Sequence, residues 1–467
     1  MLGRTRHIHF VGIGGVGMSG IAEVLANLGY VVSGSDINPS ELTEHLVSSC
    51  GVVVHEGHTA NNVVGADVVV FSSAVKTTNL EILEAKRLGI PVVPRAEILA
   101  ELMRLKFSIG VAGAHGKTTT TSMIALVLDR AGLDPTAVIG GRLSAFGGNT
   151  RLGSGKYMVA EADESDRSFL LLWPSIAVIT NIDQEHMERY DSFTELQQAF
   201  VDFANKVPFY GAVVACADDA ELMSLVKSMR RRVVSYGLSS NEADFMATDS
   251  EAISFGVRCL VQKRRHTGNQ VTLGELQLTI PGLHNLRNAL AAVAVADEIG
   301  IDFSTTAEAL AEFDGVDRRF QRYDEQGSIT IVDDYGHHPT ELSAVLETAR
   351  SVFARRLVVV FQPHRFTRTH QLIDRFGPAL VNADEIILTD IYPAGEDPIP
   401  GVTIDLLANS LRRDGLRVKI ARELDEVVPM VLDIAQPGDV VMTLGAGSIS
   451  RVPARLIEAL RKEERLH

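Results

Sequence analysis

A chain of 467 residues is too long for one hydrophobic core and points to roughly two to four domains. Its 46% apolar and 22% charged residues exclude a disordered or membrane-embedded class, and no apolar run approaches the ~20 residues that span a bilayer. The net charge of −15 argues against nucleic acid or anionic membrane as partner, while leaving room for anionic small molecules held by local dipoles.

The first predicted segment covers residues 1–106. Strand-like runs at His7–Val11, Tyr30–Gly34, Val52–Val54, Val68–Phe71 and Pro91–Val93 alternate with helical patterns, which predicts a Rossmann-like parallel sheet. The opening MLGRTRHIHFVGIGG reads as a strand feeding a glycine turn with no small-residue cleavage site, so no signal peptide is expected. Gly12-Ile13-Gly14-Gly15-Val16-Gly17 fits GxGxxG between strand and helix, and Asp36 ends the next strand. Such a loop lets backbone approach a diphosphate at a helix N-terminus, and such an acid can bind ribose hydroxyls. Alone, it leaves open a dinucleotide, another nucleotide diphosphate, or a tight turn with no ligand.

The second segment, residues 107–322, restarts with the strand FSIGVA and continues through strands near Tyr157–Ala160, Ile176–Thr180, Ala212–Ala215 and Arg232–Tyr236. From about Asp244 to Ile280, Val, Thr and Leu alternate with polar residues, which predicts added antiparallel strands before a helix at Asn285–Glu298. Gly113-Ala114-His115-Gly116-Lys117-Thr118-Thr119 sits between FSIGVA and a long helix. This is a shortened P-loop: backbone N–H groups wrap phosphates, Lys117 neutralises them, and the Thr118 hydroxyl suits Mg²⁺. Glu161 ends a strand and opens an acidic run, Asp163-Glu164-Ser165-Asp166, as a P-loop ATPase requires of a metal-holding acid. His186 follows another strand end, and on sequence alone it is either structural or a ligand.

The third segment, residues 323–467, alternates strands at Ile329–Val332, Leu357–Phe361, Ile386–Leu388, Val418–Ala421 and Val440–Leu444 with helices, a second Rossmann-like pattern closing with a helix over Ser450–Glu464. It carries Asp333-Asp334-Tyr335-Gly336-His337-His338-Pro339 and His364-Arg365-Phe366-Thr367-Arg368. If the latter stretch is helical, Arg365 and Arg368 share a face at i,i+3 and can clamp a carboxylate; the alternative is a solvated basic face. Three cysteines, Cys50, Cys216 and Cys259, are odd in number, far apart and without CxxC spacing. They read as buried reduced thiols, consistent with a cytoplasmic protein, and their spacing speaks against a cysteine metal site.

Two phosphate loops in one chain suit an ATP-driven ligase acting on a nucleotide-activated substrate better than a nicotinamide-dependent oxidoreductase. GIGGVGMSGIA, GAHGKTTTT, EADESD, TNIDQEHMERY, PGLHNLRNALAA, RRFQ, DDYGHHPTE and FQPHRFTRT occur in this order, and together they resemble the Mur ligase family. The resemblance implies that L-alanine is joined to the lactyl carboxylate of UDP-N-acetylmuramate through an acyl phosphate; a relative recycling cell-wall peptide is the alternative within the family. It implies ATP and Mg²⁺, as two ions, with Thr118, Glu161 and His186 as metal ligands and Lys117, Glu161, His186 and His337 as catalytic groups. Lys117 and the loop Gly113–Thr119, with His284, Asn285, Asn288, Arg319 and Asp334, would bind ATP. Gly14, Gly15, Val16, Gly17, Met18, Ser19, Asp36 and Ser72 would bind the UDP-sugar. Tyr335, His337, His364, Arg365 and Arg368 would face the amino acid, on a third domain that closes over ATP and the amine. No lysine lies between Trp173 and Asn205, so the carbamylated lysine of some relatives is not expected. A monomer or homodimer is expected.

Overall fold

The structure is a computed structural model that describes residues 3–38, 40–72, 74–143, 146, 148–185, 187–265, 267–326 and 329–464. It is α/β throughout, with three sheets. Two compact units make up the chain: Met1–Glu251, Arg258–Thr279 and Asn285–Asp314 form one, and Ala252–Val257, Ile280–His284 and Gly315–His467 the other.

The first sheet holds β1 (His7–Val11), β2 (Val31–Asp36), β3 (Val53–Glu56), β4 (Val68–Phe71) and β5 (Val92–Pro94), in the order β3-β2-β1-β4-β5. All its pairings are parallel. The order reverses at β1, so the crevice beyond its C-terminal end lies at a topological switch point, where open α/β sheets take ligands. The GxGxxG turn occupies that end and opens α1 (Val16–Asn27). α2 (Glu41–Cys50) follows β2, with the Ser40 N–H donating to Thr43 Oγ1 at 2.8 Å at its start.

The second sheet has ten strands: β6 (Phe107–Ala112), β7 (Thr136–Leu143), β8 (Gly148–Arg151), β9 (Tyr157–Glu161), β10 (Ile176–Ile179), β11 (Ala212–Cys216), β12 (Val233–Gly237), β13 (Phe245–Ile253), β14 (Gly256–Arg264) and β15 (Gln270–Leu278). Their order is β15-β14-β13-β12-β11-β10-β6-β9-β7-β8. The strands after Asp244 thus extend one edge of the central sheet. At the other edge β7 pairs antiparallel with β8, a hairpin the sequence did not signal. β6 is central, with β9 and β10 parallel on either side, which explains why FSIGVA reads as a continuous buried run.

The third sheet contains β16 (Gln321–Gln326), β17 (Ile329–Asp334), β18 (Leu357–Phe361), β19 (Glu385–Thr389), β20 (Val418–Ala421) and β21 (Val440–Leu444), in the order β16-β17-β21-β18-β19-β20. Only the β16–β17 pairing is antiparallel. Alternation sorts its side chains into two cores: Val332, Leu357, Val359, Phe361, Met442 and Leu444 on one face, Ile331, Val358, Val360, Ile387 and Val441 on the other. Cys216 and Cys259 are buried and free, while Cys50 is only partly buried, a departure from the expectation for that thiol. Among the described residues no helix is long and apolar enough to cross a membrane.

Candidate active site

The second glycine loop turns from β6 into α5 (Lys117–Arg130), whose N-terminal flank, Gly116, is left-handed at φ 81°. A Cβ there would also fall 2.7 Å from the Asn288 amide oxygen. Only glycine meets both demands, and Asn288 is thereby brought against the loop. The loop is tied to the end of β10. The His115 N–H donates to Asn181 Oδ1 at 2.8 Å, and Asn181 Nδ2 and Thr180 Oγ1 donate to the His115 carbonyl at 2.9 and 2.6 Å. His115 Nε2 lies 3.2 Å from Asp183.

Lys117 Nζ donates to the carbonyls of Gly113 and Ala114, at 2.6 and 3.2 Å, and to Glu164 Oε1 at 2.8 Å. Burial by itself would lower the Lys117 pKa, but Glu164, Asp163 and Glu185 raise it above the ordinary lysine value, so the ammonium is held charged. Burial likewise opposes ionisation of Asp163, yet Lys117 and Ser165 hold its carboxyl below the usual range. Glu161, at the end of β9, accepts a hydrogen bond from the Gly140 N–H at 2.8 Å. Asn285 and Asn288 are both buried near the start of the helix Leu283–Ile299. Thr118 and Thr119 occupy the first turn of α5. His186 lies outside the described residues.

At the first loop, the Gly12 and Ile13 N–H groups both donate to the Ser35 carbonyl, at 2.8 and 3.0 Å. Asp36 accepts from the Gly14 N–H at 2.8 Å and from the Asn38 N–H at 3.0 Å. Its carboxylate therefore braces the loop itself. Gly15 and Val16 are exposed, whereas Met18 and Ser19 are buried, and Ser19 Oγ donates to the Val16 carbonyl. Arg95 lies across Gly17, where a Cβ would fall 2.2 Å from its Nη1, and Arg95 Nη2 is 3.9 Å from Asp163. Sequence reasoning passed over Arg95, Glu164 and Asn181 as loop partners; each lies more than 40 positions from the residue it meets, beyond the reach of local spacing. Ser72 sits at the end of β4, its Oγ accepting from the Ala74 N–H at 3.3 Å.

In the other unit, Asp334 ends β17 and accepts hydrogen bonds from the Gly336 and Phe320 N–H groups, both at 2.6 Å. Burial pushes its carboxyl up to about 6, against the opposing pull of Arg319 and those two bonds. Arg319 lies 3.7 Å from Glu341 and 5.0 Å from the Tyr335 ring centroid. His337 Nδ1 is 3.0 Å from the Tyr335 carbonyl, and its ring centroid is 5.1 Å from that of His364. His364 stacks on Tyr392 at 5.6 Å. The structure thus brings Tyr335, His337, His364 and Arg368 together and adds Tyr392 and Glu341, which sequence spacing gave no reason to select. His284 is placed beside Gly282, whose Cβ would fall 2.6 Å from the imidazole.

One expectation is corrected. Arg365 and Arg368 do not share a helical face. Residue 364 bridges Tyr392, and the Arg365 N–H donates to the Tyr392 carbonyl at 2.8 Å. That contact holds Arg365 at φ 71°, ψ 139°, so the helix begins only at Phe366. Arg368 Nη1 reaches His364 Nδ1 at 3.1 Å, while Arg365 turns to within 3.8 Å of Glu396.

A glycine loop opening a helix, on a central parallel strand with a carboxylate ending the strand beside it, defines a P-loop nucleotide-binding α/β protein. Residues 7–107 match the Mur ligase family catalytic domain, 111–296 the Mur ligase middle domain, and 318–447 the Mur ligase glutamate ligase domain. The chain belongs to the Mur ligase family. The UDP-N-acetylmuramate–L-alanine ligase of Geobacter sp. (strain M21) is 53% identical over 463 residues, 99% of each chain. The crystal structure of UDP-N-acetylmuramate-alanine ligase from Thermotoga maritima has a TM-score of 0.83 at 32% identity, over 98% of this chain and 100% of that one. A murein peptide ligase from Psychrobacter arcticus has a TM-score of 0.73 at 25% identity, over 97% of this chain and 98% of that one.

Proposed function

We propose that this chain is the ATP-dependent ligase that joins L-alanine to the lactyl carboxylate of UDP-N-acetylmuramate in cytoplasmic peptidoglycan precursor synthesis. The observation that carries the reading is 53% identity over 99% of both chains with a ligase of that name. Two peptide-adding relatives are 25% and 30% identical, the second over 67% of this chain. Membership of a ligase family, with a phosphate loop on each of the first two sheets, weighs against a nicotinamide oxidoreductase.

The carboxylate is a poor electrophile. Attack on the γ-phosphate of ATP turns it into an acyl phosphate and leaves ADP; the alanine amine then attacks the acyl carbon and phosphate departs. Lys117 holds the β- and γ-phosphates, the N–H groups of Gly113–Thr119 wrap them, and Asn285 and Asn288 border the nucleotide, with His284, Arg319 and Asp334 contributing to it. Exposed Gly15 and Val16, with Gly14 and Gly17, cradle the uridine diphosphate; Asp36 and Ser72 shape that loop. Tyr335, His337, His364, Arg365 and Arg368 receive alanine, with His337 the base for its amine.

The residues present fit Mg²⁺. For the first ion the donors, Thr118 and Glu161, are hard oxygens, and Glu161 sits over bare backbone, where a Cβ at Gly140 would fall against its carboxylate. Thr118 and Glu161 would hold one ion and His186 a second. When bound, these ions would screen the repulsion between the carboxylate and the phosphates. The test is phosphate release from ATP and Mg²⁺, which should require both UDP-N-acetylmuramate and L-alanine. Release with the sugar and a tripeptide, but not with alanine, would reassign the chain to the peptide-adding activity.

A further inference from the structure

α1 and α2 pack against each other in the first unit, and their contact gathers three metal-ligating side chains. Glu23 comes from α1; His45 and Cys50 come from α2. One ligand atom from each lies within 4.8 Å of the others, and His45 Nε2 is already 3.3 Å from Glu23 Oε1. We propose that Glu23, His45 and Cys50 form a site for a borderline-soft divalent cation of the zinc class, remote from the two glycine loops' chemistry.

Four observations carry this beyond proximity. A carboxylate, an imidazole and a thiol are the donor types zinc takes, and ligand bonds of about 2.0–2.3 Å put neighbouring donors roughly 3.3–3.8 Å apart in a tetrahedron. The His45–Glu23 edge, at 3.3 Å, has that length, and the Cys50 Sγ lies within 4.8 Å of both. The second ring nitrogen of His45 is 3.2 Å from Ser49 Oγ, the outer contact that orients a metal-ligating imidazole with Nε2 toward the ion. The last turn of α2 contains no basic side chain, so a cation beside Cys50 would meet no competing charge from that turn at the negative end of the helix. The cluster is also accessible: His45 is 52% and Glu23 23% exposed at the side chain. Three protein ligands leave a fourth position for water. Burial and Glu23 push the Cys50 thiol up; a bound dication reverses that balance by displacing its proton. The ion would tie α2 to the helix that carries the first glycine loop. The spacing of the cysteines could not reveal this site, because its other ligands come from packing.

Cobalt reports the thiolate directly. Full-length protein, stripped with chelator, is titrated with Co²⁺ and then Zn²⁺. The site predicts a sulfur-to-cobalt charge-transfer band that saturates at one equivalent, is bleached by Zn²⁺, disappears in Cys50→Ser, and saturates at higher Co²⁺ in His45→Gln and Glu23→Gln. Oxygen and nitrogen donors around the P-loop give no such band, and buried Cys216 and Cys259 are retained in every variant as controls. Zn²⁺ should also slow alkylation of Cys50 by roughly tenfold or more, since the metal-bound thiolate is withdrawn from attack. Absence of the band, its survival in Cys50→Ser, or alkylation unchanged by Zn²⁺ would overturn the proposal.

Discussion

The Lys117 ammonium and the Glu164 carboxylate stand 2.8 Å apart with side chains 16% and 3% exposed, a nearly dry ion pair inside the P-loop. Lys117→Ala should abolish turnover and also cost about 3–5 kcal/mol of stability by removing the cation that neutralises the buried Glu164 carboxylate. Lys117→Met with Glu164→Gln should recover most of the stability and none of the activity. Thermal unfolding and phosphate release on the three proteins check this; turnover in the double variant would remove Lys117 from the phosphates.

Gly15 has φ −65°, and a Cβ there would make only ordinary contacts, 3.6 Å from the Gly12 carbonyl and 3.9 Å from Met18. Gly15→Val should fold normally and obstruct only a ligand. Calorimetry should show weakened UDP-N-acetylmuramate binding with unchanged ATP binding, and NADH should not compete in the wild type. Normal sugar binding by the variant would move the diphosphate elsewhere.

Because Arg365 precedes the helix and Arg368 lies within it, the two arginines act separately. Arg368, beside His364, is the better placed to take the alanine carboxylate. Arg368→Ala should lose about 1.5–3 kcal/mol, roughly tenfold to hundredfold in kcat/KM for alanine. Arg365→Ala, which releases Glu396 as well, should affect alanine less. A defect of Arg368→Ala confined to the ATP Michaelis constant would contradict this assignment.

Asp334, raised to about 6, predicts a pH dependence of stability. A carboxyl whose folded pKa lies above its unfolded value of 3.8 binds its proton more tightly when folded. Its contribution is fully present below pH 3.8 and is lost as pH rises through 6. Between pH 7 and 5 the wild type should therefore gain about 1 kcal/mol on Asp334→Asn. Denaturant unfolding at the two pH values measures the difference, wild type minus Asp334→Asn; a difference that stays constant or falls from pH 7 to pH 5 would rule out the raised value.

The parallel framework was legible in the sequence because it is local. FSIGVA carries no charge and a single polar side chain, Ser108, as suits a strand covered on both faces, and GxGxxG needs only its neighbours to become a turn. The β7–β8 hairpin was not, since Gly140 and Gly141 break its strand pattern. The loop glycines and Lys117 announced a phosphate site, but Glu164, Asn181 and Arg95, which hold that site in shape, are brought in by tertiary packing. Arg365 shows the same limit from the other side: helical spacing suggested a pair, and one backbone bond to Tyr392, 27 positions onward, undid it.

The most direct test uses UDP-N-acetylmuramate carrying heavy-isotope oxygen in its lactyl carboxylate. With ATP, Mg²⁺ and L-alanine, each turnover should pass one heavy oxygen into the released phosphate, and the UDP-sugar should gain the mass of one alanine residue. Unlabelled phosphate, or labelled phosphate accompanied by a tripeptide adduct and no alanine adduct, would contradict the proposed reaction.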